Sequence, residues 1–288
     1  MNRTPLFLPH GAQRTHTGGR RATSCTIALA LIILVAFGMP ARAQGVDVGK
    51  PSSVRNLVPA GALEQQATQE YEQLKRQAAA RRALGPDDHP QVRRLRAIAA
   101  RMIPFVDRFN PRAGQWRWEV NLIGSRQINA FCMPGGKIAF YSGILDALQL
   151  TDDEAAMVMG HEIAHALREH ARERMAKNQL TRLGANVLGE LIGGGRYAGA
   201  FQIGGNFLSL KFSRDDESEA DVVGLDLAAR AGFDPRAAVS LWQKMAAANS
   251  RAPLEFLSTH PAGENRIREI EKRLPEVLPL FERARRGN

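Results

Sequence analysis

The sequence is poor in cysteine, in long apolar runs and, over its first 43 residues, in acidic side chains. Of two cysteines in 288 residues, Cys25 precedes the apolar run Ile27 to Met39, so Cys132 stands alone downstream. One cysteine makes no intramolecular bridge, so even an oxidising compartment adds no disulfide to this fold. Cys132 reads as a small buried hydrophobe. The apolar run falls short of the roughly 20 residues that a helix needs to cross a bilayer. Preceded by Arg20-Arg21 and followed by Ala41-Arg42-Ala43, it has the pattern of a secretory signal peptide over 1–43, cleaved after Ala43, with an uncleaved anchor as the alternative. Cys25 lies before the run, so the pattern is not that of a lipoprotein. The missing acids also account for half of the net charge. The net +10 invites a nucleic-acid reading, but Arg3, Arg14, Arg20, Arg21 and Arg42 have no acidic counterpart. Removing those five leaves 34 basic residues against 29 acidic. The remaining +5 is interleaved along helices instead of forming a block, so no nucleic-acid partner is expected.

With seven histidines in the chain, two of them four residues apart stand out. In His161-Glu162-Ile163-Ala164-His165, helical spacing stacks both imidazoles on one face, where they can grip one metal ion, and Glu162 borders the same space. This is the zinc-protease arrangement. The spacing predicts a helix from about Asp152 to Met175. Thr151 and Glu154 form a capping box, Asp152 and Asp153 suit the positive helix end, and Ala156, Met159, Ile163 and Leu167 make an apolar stripe. On that uninterrupted helix His170 lies about 140° round from His165, which reads as a surface position.

The length allows one or two domains with a sizeable core. Residues 44–85 read as an extended or flexible lead-in followed by an exposed, solvent-facing helix from Leu63 to Leu84. The region 86–274 carries the chemistry. Val92, Leu95, Ile98, Ala99, Met102 and Ile103 recur at helical spacing, and His89 reads as local capping before Pro90. Strands are expected over Trp116 to Leu122, with Trp116, Trp118, Val120 and Leu122 on one face, over Gln127 to Cys132, and over Lys137 to Tyr141 after a Pro134-Gly135-Gly136 turn. Lys137, Ile138, Ala139 and Phe140 are the expected edge strand, able to take an extended substrate by strand addition. Leu183 to Phe207, with eight glycines, reads either as a mobile flap able to touch a membrane surface or as a packed hairpin. Residues 275–288 read as a polar tail.

Downstream, Glu217 and Asp221 sit at i and i+4 of a helix opening near Ser213. One of these carboxylates can bind the metal while the other accepts a hydrogen bond from a ligating imidazole. Two histidines and a carboxylate leave a fourth position for water.

Asn129-Ala130-Phe131, Pro134-Gly135-Gly136, Tyr141-Ser142-Gly143, His161-Glu162-x-x-His165, Glu217-x-x-Ala220-Asp221 and Thr259-His260-Pro261 with Arg266-Ile267 together resemble the HtpX/BepA/LoiP/Oma group of zinc metallopeptidases, over roughly Pro90 to Leu274. The resemblance implies a zincin-like α+β fold, mainly helical, with a small sheet beside the metal helix. It makes His161, His165 and Glu217 the Zn2+ ligands, Glu162 the general base and Asp221 the partner of a ligating histidine. It further suggests that His260 swings toward the zinc in a resting state and that Arg266 lies near the site. His260, Arg266 and Tyr141 are the candidates for steadying an oxyanion. The implied function is a metalloendopeptidase that acts in the periplasm on misfolded or unassembled envelope proteins. A chaperone-like factor in outer-membrane protein assembly, with a latent zinc site, is the alternative. The partners are protein or peptide substrates, with assembly machinery or a membrane surface beside them.

Overall fold

The computed structural model describes residues 45–193, 207–250, 253–261 and 265–287, with the side chains of 183–193 left out. The expected signal segment 1–43 lies outside the described residues, as does most of the glycine-rich stretch 183–207. The helices are α1 (Ala60–Ala80), α2 (Pro90–Met102), α3 (Ser142–Leu148), α4 (Asp152–Leu167), α5 (His170–Gly193), α6 (Arg214–Arg230), α7 (Ala237–Asn249), α8 (Glu255–Thr259) and α9 (Arg266–Arg286). Among the described residues three strands, β1 (Glu119–Ile123), β2 (Ala130–Met133) and β3 (Lys137–Tyr141), form one sheet. The result is a mainly helical α+β fold. Among the described residues no helix is long and apolar enough to cross a membrane.

The core forms around α4, whose residues from Glu154 to Leu167 are all buried. Its start is the capping box read from sequence: Thr151 N donates to Glu154 Oε2 at 2.9 Å and Glu154 N to Thr151 Oγ1 at 3.2 Å. Glu154 is itself buried and takes Ser240 Oγ at 2.8 Å and Lys244 Nζ at 2.7 Å from α7. Helix α4 packs against α6, β2, α2 and α7. Glycines set the closest of these contacts: a Cβ on Gly160 would lie 2.8 Å from Gly224 O, and one on Gly224 would lie 2.8 Å from Gly160 C and from His161 N. Backbone therefore meets backbone where α4 and α6 cross, one residue from His161.

The sheet order is β1-β3-β2, with β1 parallel and β2 antiparallel to β3. This corrects the expectation for Lys137, Ile138, Ala139 and Phe140. They form the central strand, buried throughout, and among the described residues the edge strand beside α4 is β2. A tight hairpin, with Gly135 and Gly136 at φ +83° and +79°, folds β2 back onto one side of β3. The parallel β1 occupies the other side, so the last strand in sequence is the middle one in space. Val120, Leu122, Ala130, Ile138 and Phe140 face the main core; Ile123, Phe131, Met133, Ala139 and Tyr141 face α1. β1 starts at Glu119, and the half-buried Trp116 and Trp118 precede it.

Three further expectations change. Helix α1 is not simply solvent-facing: Leu63, Ala67, Tyr71 and Ala78 form a buried stripe within a polar composition. The lead-in is tied down, with Val46 N donating to the buried Asp226 at 3.0 Å, Arg168 to Gly49 O at 2.9 Å and Arg172 to Val58 O at 2.6 Å. Residues 275–286 are no tail but the second half of α9, in which Val277, Leu280 and Phe281 are buried. Pro275 and Pro279 lie inside that helix.

Candidate metal centre

Helix α4 presents His161 and His165 one turn apart, and the Gly160/Gly224 crossing brings Glu217 and Asp221 of α6 against them. His260, at the end of α8, and Arg266, the first residue of α9, close the cluster. His165 Nε2 lies 3.1 Å from His161 Nε2, and His260 Nδ1 lies 3.3 Å from the same atom. Glu217 Oε1 is 3.0 Å from His260 Nδ1 and 3.4 Å from His165 Nε2, and its Oε2 is 3.4 Å from His161 Nε2. One ligand atom from each of these four residues lies within 4.8 Å of all the others. A tetrahedral ion with nitrogen and oxygen donors at about 2.0–2.1 Å separates those donors by about 3.3 Å. The cluster matches that spacing, so the residues fit a bound divalent metal.

The surroundings hold the cluster in place. Asp221 Oδ1 is 3.1 Å from His161 Nδ1, which leaves Nε2 facing inward. Arg266 forks onto Asp221, with Nε donating at 2.5 Å and Nη2 at 2.8 Å, donates to Glu217 Oε2 at 2.8 Å, and lies 3.7 Å over the Trp242 ring. Phe212 stacks on His165 at 4.0 Å and Phe256 on His260 at 4.5 Å. Burial works against each charge here, and the neighbours decide the outcome. Burial drives His165 well below its ordinary pKa. At His161 hydrogen bonds to Asp221 and Glu217 overcome burial, and the pKa is pushed up to about 9. Burial would raise Glu217, yet hydrogen bonds from His161, His165 and His260 hold it well below the carboxylate range. Burial also opposes charge on Asp221, but the Arg266 guanidinium holds it low.

Glu162 differs from its neighbours. It is 2 % exposed, burial raises its pKa, and its Oε1 makes no hydrogen bond. A buried carboxylate oxygen without a hydrogen bond is costly, and His260 Nε2 stands 3.5 Å from this one. Glu162 lines a cleft together with β2 residues Phe131 and Cys132, with Phe207, Leu210 and Phe212, and with His165 and His260.

The structure thus brings together His161, Glu162, His165, Glu217, Asp221, His260 and Arg266. Lys137, Ile138, Ala139 and Phe140 lie one strand away, behind β2. Tyr141 packs on Phe131 with ring centroids 6.3 Å apart and does not line the cleft. Cys132 is half-buried on β2, and His89 accepts from Gln91 N as a helix cap. His170 is a correction. It is 2 % exposed, not on the surface, and its Nδ1 is 2.9 Å from His165 Nδ1. The predicted single helix breaks at Glu169, whose φ of +59° is left-handed, and α5 starts afresh at His170. Sequence reasoning also missed Gly160 and Gly224, for which only the coincidence of a glycine in each helix gave a signal, and Trp242, for which there was none.

Comparison with known proteins agrees with this geometry. The profile of peptidase family M48 matches residues 90–274. The mitochondrial metalloendopeptidase OMA1 of Saccharomyces cerevisiae is 32% identical over 213 residues, which cover 69% of this chain and 60% of the relative. The Arabidopsis thaliana mitochondrial metalloendopeptidase OMA1 is 35% identical over 178 residues, covering 59% and 35%. The beta-barrel assembly-enhancing protease of Escherichia coli is 32% identical over 172 residues, covering 55% and 35%. The matches thus span between about a third and three-fifths of those relatives' lengths. With the two-histidine helix, the acidic helix across it and a match over most of its sequence, the chain belongs to peptidase family M48.

Proposed function

We propose that the chain is a zinc-dependent endopeptidase that hydrolyses peptide bonds of misfolded or unassembled envelope proteins. In this reading His161, His165 and Glu217 are the metal ligands and Glu162 is the general base. The observation that carries it is the buried Glu162 Oε1, which makes no hydrogen bond, beside a four-donor cluster. Zinc, when bound there, supplies a water whose pKa falls toward about 7 and polarises the scissile carbonyl. Glu162 accepts the proton of the attacking water and returns it to the departing amine; its raised pKa suits both transfers. Asp221 and Arg266 keep His161 oriented. An extended peptide is taken along the edge strand β2, which borders the cleft, and not along β3. The apolar run before Ala43 directs the chain to the periplasm, and the printed name of the Escherichia coli relative supports envelope proteins as substrates.

A second reading, an assembly factor with a latent site, is favoured by His260. Its Nδ1 lies within the ligand cluster, where it would fill the position that water needs. Hydrolysis of an unfolded β-barrel membrane protein and of its folded form, by wild type and His260→Ala, separates the two. The peptidase reading expects chelator-sensitive cleavage confined to the unfolded form, faster in His260→Ala. No cleavage by either protein, with zinc bound, favours the assembly factor.

A further inference from the structure

We propose that His170 and Glu219 fix the tautomer of His165, holding its Nε2 lone pair toward the metal; this rests on the metal-site reading above. His170 Nδ1 lies 2.9 Å from His165 Nδ1, and His170 Nε2 lies 2.8 Å from Glu219 Oε2. Two ring nitrogens at that distance need one proton between them. The Nε2 atom of His165 faces the ligand cluster, 3.1 Å from His161 Nε2 and 3.4 Å from Glu217 Oε1. A metal held there needs that nitrogen bare, which leaves the proton of His165 on Nδ1, donated to His170 Nδ1. His170 then carries its own proton on Nε2, facing Glu219, whose ionised carboxylate only accepts.

The surroundings make this relay directional. Arg168 donates to Glu219 Oε1 at 2.5 Å, which keeps the carboxylate charged and pointed at His170. His170 itself is buried at the first turn of α5, and the left-handed Glu169 swings it back over His165. A continuous helix would carry it away. The relay also completes a pattern on α6. Glu217 reaches the cluster directly, Asp221 holds Nδ1 of His161, and Glu219, between them in sequence, holds Nδ1 of His165 through His170. A space-filling role alone would be met by any flat apolar ring, whereas here both imidazole nitrogens have partners.

The test uses the zinc-loaded full chain with 15N-labelled histidine. Nuclear magnetic resonance is expected to show a coupling through the hydrogen bond between the two Nδ1 atoms, with His170 protonated at Nε2. In chelator competition, His170→Phe and Glu219→Ala are each expected to lose roughly 10- to 100-fold in zinc affinity, the usual effect of removing a group that orients a metal ligand. Circular dichroism establishes that each variant is folded. His170 protonated at Nδ1 in the wild type overturns the proposal, as does a folded His170→Phe with unchanged zinc affinity. If His170→Phe does not fold, Glu219→Ala decides in the same way, since Glu219 is partly exposed. A wild type that takes up no zinc overturns the metal reading, and this inference with it; a wild type that holds zinc as tightly as both folded variants overturns this inference alone.

Discussion

At the scale of residues, the account turns on a few atoms that neighbours hold in place. Gly224 is one. Its replacement by alanine adds a Cβ 2.8 Å from the Gly160 backbone, and overpacking of this kind costs about 1–3 kcal/mol. Gly224→Ala is expected to lower both the thermal midpoint and the zinc affinity, because α6 carries Glu217 and Asp221 away from the histidines. Unchanged affinity would show that the crossing does not set the site. Tyr71 is another. Its hydroxyl donates to Ile138 O at 2.5 Å and accepts from Asn121 at 3.0 Å, and burial raises its pKa above the ordinary value. Its folded-state pKa lies above its unfolded one, so its contribution is complete below about pH 10 and is lost as pH rises from there toward the folded value. Tyr71→Phe should cost about 1–3 kcal/mol at neutral pH and flatten the alkaline fall in urea-denaturation stability; an unchanged alkaline slope would contradict this. The grouping of His161, His165, Glu217 and Asp221 was legible because i, i+4 spacing on a helix is a strong local signal. His170 was misread because its place depends on one left-handed residue, Glu169, whose side chain pairs with Arg55 and Arg112, far from it in sequence. Such long-range support leaves no local trace.

At the scale of elements, helix starts and apolar stripes were legible, and the placing of elements was not. The Thr151 capping box has the same form in sequence and structure. Thr151→Ala should cost about 1 kcal/mol, seen as a lower urea midpoint with unchanged slope; a larger loss would mean that Glu154 also loses its hold on Lys244 and Ser240. In α1, four buried positions were hidden by the surrounding Gln, Glu, Lys and Arg, because composition spoke louder than a stripe with gaps. In α9, two prolines hid a helix whose buried stripe runs from Ile270 to Phe281. Strand order was the largest miss. The alternation in Lys137 to Tyr141 says which face each residue takes, and both faces prove to be buried, but nothing local says that β1 will pair on its far side.

At the scale of the molecule, the core extends past the part that carries the family likeness. Val46, Val58, Leu63 and Tyr71 before residue 90, and Val277, Leu280 and Phe281 after 274, are all buried. A chain lacking 45–58 removes the acceptors of Arg168 and Arg172 beside the end of the metal helix, and its thermal midpoint should fall by several degrees; an unchanged midpoint would show the segment to be dispensable. The cluster, the cleft and the Glu162 oxygen that makes no hydrogen bond all support the one proposal, that this chain hydrolyses peptide bonds with Glu162 as the base at a bound zinc. Zinc per chain and casein hydrolysis, measured on the same preparations of wild type and Glu162→Gln, test it most directly. The account predicts about one zinc per chain in both proteins and hydrolysis in the wild type alone; wild-type hydrolysis without zinc, or full activity in Glu162→Gln, would contradict it.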